Sequence, residues 1–178
     1  AIRPSTGSSR PSGTVASLAA ESSTPPPATG VLVREAVRLA QHADDKWDAL
    51  RQSGALLEQL GVVDDGYAAA ILERESQIST YMGEGVAIPH GTDQARALVR
   101  RTALGFLQYP DGVDWDGETV YLCIPIAASG DEHVGVLSAL AEILVDDDSA
   151  AALRTATDVD QVLALLNPGD HAGEESHA

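Results

Sequence analysis

TVYLCIPIAASGDEHVGVLSALAEIL, residues 119–144, is the stretch that decides the fold. Its first part, TVYLCIPIAA (119–128), is the most continuous apolar run of the chain, and a short run of that kind reads as a central strand buried on both faces. SGDEH then opens a helix, with Val134, Leu137, Leu140, Ala141 and Leu144 at helical spacing. A buried strand feeding directly into an amphipathic helix belongs to a layered fold of helices on a sheet.

Immediately upstream, TALGFLQY (102–109) is rich in strand-favouring residues, and PDG after it reads as a turn. Two strands joined by one turn allow an antiparallel pair, so the sheet is expected to be mixed rather than purely parallel. Further out, GVAIPHGT (85–92) reads as a short strand broken by Pro89 and Gly91, followed by a charged helical turn around DQARAL. VLVREAVRL (31–39) reads as another strand, interrupted by Arg and Glu. Asp44 or Asp45 can cap a helix with Trp47, Leu50, Leu57 and Leu60 on its buried face and Gly61 at its end. A second helix is expected from near Asp65 through Tyr67, Ile71 and Leu72 towards Ser76. Downstream, SAAALRTA and DVDQVLALL form two short closing helices, the last stopped by Asn167, Pro168 and Gly169, while the acidic run Asp146–Asp148 serves as a helix cap. The expected class is α/β: a single mixed β-sheet flanked by helices on its faces.

Residues 1–29 are Pro-, Ser- and Gly-rich and cannot bury enough apolar surface to offset their ordering entropy. They read as a disordered linker or tail, residues 30–168 as one domain, and residues 169–178 as a second disordered tail. Hydrophobic residues make up 44% of the chain and aromatics 4%, so the core must rest on Ala, Val, Leu and Ile. A formal net charge of -16 disfavours nucleic acid and anionic membrane surfaces, and favours a partner with a basic face. No apolar run approaches the ~20 residues of a membrane helix. The amino-terminal residues lack the layout of a signal peptide, and the single cysteine, Cys123, reads as a buried structural thiol. The expectation is a cytoplasmic domain with no direct membrane insertion, either free-standing or joined through its Pro-rich linker to other parts.

The chemistry gathers in GEGVAIPHGT (83–92). His90 follows a short strand, between a proline that restricts the backbone and a glycine that leaves room for a ligand or partner. An imidazole there is either a turn residue without a role or a nucleophile that needs no base near neutral pH. The amides of Gly91 and Thr92 lead into a helical segment and could hold an anion beside it. His133 falls in the first turn of the helix after the long apolar run, the kind of place where ligand sites of α/β folds collect. Two histidines could also bind zinc, with Glu84 or Glu132 as a third ligand, but neither HExxH nor paired-cysteine spacing is present, so no metal and no cofactor is expected. Arg74, in LERES, is either a solvated helical arginine or a planar cation for phosphate oxygens. GxGxxG, GxxxxGK[ST] and GxSxG are all missing, which removes the motifs of dinucleotide, P-loop and serine-hydrolase sites.

Taken together, GYAAAILERESQISTYMGEGVAIPHGT (66–92) resembles the active-site region of the EIIA domains of the fructose and mannitol branch of the bacterial sugar phosphotransferase system. LGFLQYPDGVDW (104–115) is similar to the mannitol members, DEHVGVLSALAEIL (131–144) to the helix carrying the family's second histidine, and TDVDQVLALL (157–166) to its closing helix. The resemblance implies a phosphotransferase component in which His90 takes a phosphoryl group from HPr and gives it to a cysteine of an EIIB domain, with EIIC as the membrane part. It implies His133 as the second active-site histidine, Arg74 as the arginine of the L-x-R-E turn, and Glu84 as the glutamate of the G-E motif. A second reading keeps His90 but makes the chain a regulatory module of the nitrogen or transcription-regulator type, whose phosphorylation a partner senses.

Overall fold

The computed structural model describes residues 32–129 and 132–166, apart from the side chains of Glu132 and His133. The tails expected at 1–29 and 169–178 lie outside the described residues. Among the described residues six strands and five helices succeed one another: β1 (Leu32–Arg38), α1 (Lys46–Gln59), α2 (Tyr67–Gln77), β2 (Tyr81–Gly83), β3 (Val86–Ala87), a 3-10 turn (Gln94–Leu98), β4 (Ala103–Trp115), β5 (Glu118–Cys123), β6 (Ile126–Ala127), α3 (Glu132–Leu144), α4 (Asp147–Thr155) and α5 (Val159–Leu166). The strands form one sheet in the order β1-β4-β5-β3-β2, with β6 on β4. β1 runs parallel to β4 and β3 parallel to β5, whereas β4–β5, β2–β3 and β4–β6 are antiparallel. The mixed sheet expected from the sequence is the sheet observed.

Strand alternation divides β4 between two cores. Leu107, Tyr109, Val113 and Trp115 pack under α1 and α2 with Leu50, Leu57, Tyr67 and Ile71. Leu104 and Phe106 face the other way, onto Val136, Leu140 and Leu144 of α3, Leu153 of α4 and Val162 and Leu166 of α5. Asp45 caps α1 by accepting from the Asp48 amide, and Asp146 caps α4 by accepting from the Ser149 amide.

Four local expectations need correction. PDG does not end β4. The strand runs on to Trp115 through an irregularity between Gln108 and Val113, where Gly112 takes a φ of 81°, and the reversal comes at Asp116-Gly117, both with positive φ, as a two-residue hairpin requires. The run 119–128 is two strands in one register: Leu107 faces Cys123 and Leu104 faces Ile126. Between them Pro125 has no N–H to give Gly105, although the Gly105 amide still donates to the Pro125 carbonyl at 2.9 Å. Trp47 is 38% exposed, because the buried stripe of α1 runs through Ala49, Leu50, Ser53, Leu56 and Leu57. On α3 the stripe is Val136, Leu140 and Leu144, spaced by four, which leaves Val134 65% exposed and Ala141 outside the core.

Among the described residues no helix is long and apolar enough to cross a membrane. Cys123 is fully buried, and burial pushes its thiol pKa far up, so it stays an inert core group.

Candidate functional site

β3 is short because Pro89 follows it so closely, but its ladder with the β5–β6 strand continues as single bonds. The Ile124 amide donates to the Ala87 carbonyl at 2.9 Å, and the Ile126 amide to the Pro89 carbonyl at 2.8 Å. His90 is therefore held at the carboxyl end of an ordered strand. Its Nδ1 lies 2.9 Å from the Ile88 carbonyl oxygen. A carbonyl only accepts, so Nδ1 carries the proton, and the lone pair of the neutral imidazole is on Nε2.

Tyr67, at the start of α2 and 3% exposed, reaches across to the same point. Its hydroxyl donates to the Ile126 carbonyl at 2.9 Å and accepts from the Gly91 amide at 3.1 Å. The Gly91 amide, expected to face an anion, is thus spent on the tyrosine. Close packing explains the glycine: a Cβ at Gly91 would lie 2.9 Å from Tyr67 Cε1 and 3.1 Å from the Ala95 Cβ.

Above His90 opens a cavity of about 260 Å³ lined by Tyr67, Arg74, Gly91, Thr92, Arg96 and Ala128 among others. Arg74 Nη1 donates to the Ile78 carbonyl at 2.6 Å, which anchors the guanidinium at the cavity wall. Arg96 pairs with Asp93 at 3.2 Å across one turn. Burial lowers the pKa of His90 below 6.5, and Arg74 and Arg96 push the same way, against the Ile88 carbonyl and Glu75. The result at neutral pH is an uncharged imidazole facing two guanidinium groups, which suits a nucleophile that must attack an anionic centre. A larger cavity, about 530 Å³, is lined by Tyr121 and Arg154, and among the described residues no histidine, cysteine or carboxylate lines it.

Of the residues singled out from the sequence, His90, Arg74, Gly91 and Thr92 come together around this cavity. His133 lies in the first turn of α3, five residues after the cavity-lining Ala128, and its side chain lies outside the description. Glu84 is not brought in. It sits in the Gly83–Gly85 turn between β2 and β3 with a φ of 56°, at the other end of β3 from His90, and it does not line the cavity. Sequence reasoning missed the work of the Tyr67 hydroxyl, and it missed Arg96, which looked like one more charge in DQARAL. It also missed Glu75, which had a legible signal: it stands four and eight residues after Ile71 and Tyr67, a charge on an apolar stripe. Among the described residues no three of His, Cys, Asp or Glu group to hold a metal ion.

Known proteins share this architecture. The model of the family described as phosphoenolpyruvate-dependent sugar phosphotransferase system, EIIA 2, matches residues 31–168. The chain is 46% identical to the multiphosphoryl transfer protein of Escherichia coli O157:H7 over 127 residues, which is 71% of this chain but only 34% of that protein's length. It is 36% identical over 138 residues to the mannitol-specific phosphotransferase enzyme IIA component of Geobacillus stearothermophilus, covering 77% of this chain and 95% of that one. Among solved structures, the complex of enzyme IIA mannitol and phosphorylated enzyme IIB mannitol from Escherichia coli contains a chain that superposes with a TM-score of 0.70 at 38% identity, over 74% of this chain and 94% of that one. The chain therefore belongs to the EIIA 2 family of the phosphoenolpyruvate-dependent sugar phosphotransferase system.

Proposed function

We propose that this chain is a phosphoryl carrier of the mannitol type, with His90 Nε2 as the atom that holds the phosphoryl group. The observation that carries the reading is the neutral imidazole, oriented by the Ile88 carbonyl, beside Arg74 and Arg96 at a cavity several times the ~30 Å³ of a water molecule. The Nε2 lone pair attacks phosphorus of a phosphohistidine on HPr while the donor's P–N bond breaks in line, its electron pair staying on the donor nitrogen. Both nitrogens are imidazoles, so the exchange is nearly balanced in free energy and can run onward. The guanidinium groups offset the charge spread over the phosphoryl oxygens in passage. His133, which stands in the first turn of α3, is in this reading the second imidazole at that step.

The phosphoryl group then goes to an EIIB domain, a partner that the solved mannitol complex supports, and a cysteine there receives it. The LGFLQYPDGVDW stretch and the mannitol-specific relative support that branch over a regulatory one. In this reading residues 30–168 are the carrier unit, residues 1–29 its tether and 169–178 a tail. The unit works at the cytoplasmic side of the membrane and meets EIIC only through EIIB. The surplus of acidic residues draws in a basic docking face.

Incubation with phosphoenolpyruvate, enzyme I and HPr, followed by intact-mass and peptide mapping of acid-labile phosphate, tests the reading. One phosphoryl group on His90, lost in His90→Ala, is the expected result, with slower transfer in His133→Ala. A folded chain that takes no phosphate from authentic donors refutes it.

A further inference from the structure

Next in sequence to the cavity-lining Arg74 stands a buried carboxylate that the transfer scheme leaves idle. Glu75 is 4% exposed, and its oxygens are fully engaged. Oε2 accepts from Trp115 Nε1 at 3.0 Å and from Lys46 Nζ at 3.3 Å, and Lys46 is itself held by Asp116 at 2.6 Å. Oε1 accepts from both the amide and the hydroxyl of Thr80. The Thr80 carbonyl accepts from the Ile88 amide at 3.0 Å, and the Ile88 carbonyl holds His90 Nδ1 at 2.9 Å. Two residues before Thr80, the Ile78 carbonyl holds Arg74. Imidazole and guanidinium thus hang from two backbone carbonyls, and both carbonyls belong to segments tied to one carboxylate.

We propose that Glu75 is a positioning residue for phosphoryl transfer: through Thr80 and Ile88 it fixes the tautomer and orientation of His90, and through residues 78–80 the place of Arg74. The inference rests on the carrier reading of His90. A buried ion pair adds little stability over an apolar pair of the same volume, so stability gives no reason for a carboxylate here. What a carboxylate adds is direction. Its lone pairs specify where the Thr80 N–H and O–H must be, and a chain of hydrogen bonds carries that constraint to the reacting nitrogen. Misplacement of a reacting group by about 1 Å can cost a hundredfold in rate.

The test uses the whole chain with Thr80→Val, Thr80→Ser and Glu75→Gln. Thr80→Val keeps the amide donor and loses only the hydroxyl, so it stands in if Glu75→Gln does not fold. The readouts are the ¹⁵N shifts of the His90 ring, which report its tautomer, and the rate of phosphate acceptance from phospho-HPr. In Thr80→Val we expect a mixed tautomer and a rate lowered about ten- to a hundredfold, with both restored in Thr80→Ser. A folded Thr80→Val with a wild-type ring signature, or with a wild-type rate, refutes the clamp and leaves Glu75 a structural ion pair. Should the wild-type chain accept no phosphate, the carrier reading fails, and the ring signature alone still decides the clamp.

Discussion

Replacing Tyr67 by Phe removes one oxygen from the molecule and separates two parts of the site. In the wild type that oxygen joins the Gly91 amide, next to His90, to the Ile126 carbonyl on β6. The bond to Ile126 is worth about 1 kcal/mol net, and the half-buried Gly91 amide left without its acceptor costs roughly 1–3 kcal/mol. Against this, phenylalanine no longer has to bury a hydroxyl, which returns about 1 kcal/mol. The balance is a loss of about 2 kcal/mol, or roughly 6–8 °C in Tm for a domain of this size. Urea unfolding should show a lower midpoint at unchanged slope, because the denatured chain is hardly altered. Native-state hydrogen exchange should show the Gly91 amide opening faster than its neighbours. Phosphate acceptance should slow, since the residue beside the nucleophile loses its anchor. A loss below about 0.5 kcal/mol, with the Gly91 amide as protected as before, would refute the latch.

Gly91→Ala places a methyl within 2.9 Å of the Tyr67 ring at a position whose backbone is not left-handed, so its cost is purely one of space, about 1–3 kcal/mol by thermal unfolding; a neutral substitution would show that the ring can yield. Lys46→Met leaves the fully buried Glu75 carboxylate without its cation and should cost about 3–5 kcal/mol in denaturant, part of it regained in Lys46→Met/Glu75→Gln; a loss under about 1 kcal/mol would mean that the pair is not electrostatically engaged. For His90, burial and the two arginines hold the folded pKa below 6.5, so from 6.5 downward the unfolded chain binds the extra proton and stability falls with falling pH, with no contribution from this group above that range. An NMR titration of the ring should find the depressed value, and acceptance should fall off only below it; a pKa above 6.5 contradicts the burial account.

The central strand, its antiparallel neighbour and the helix that follows were legible because period and composition mark them: an apolar run, β-favouring residues, and Leu137, Leu140 and Leu144 spaced by three and four. The hairpin was misplaced because PDG and DG are both turn signals locally. Only the ladder to β5 shows that Gly112 takes up an irregularity while Asp116-Gly117 reverses the chain. Trp47 and Val134 were misread because several helical phases fit a chain rich in alanine and leucine, and the packing partner selects one of them.

For the site, the order of residues was enough to say which atoms could react: a histidine between proline and glycine at a strand end, an arginine on the preceding helix, a second histidine after the long apolar run. Those are properties of residue type and local backbone. It could not determine which nitrogen of His90 bears the proton, that Tyr67 takes up the Gly91 amide, that Glu84 stays away in its turn, or that Glu75 binds Thr80, whose carbonyl meets the Ile88 amide. Each of these depends on groups far apart in the chain, from Lys46 to Ile126, meeting within hydrogen-bond distance. Hydrogen bonds act over about 3 Å and only along set directions, so they come into being with the tertiary structure and leave no periodic mark in the sequence.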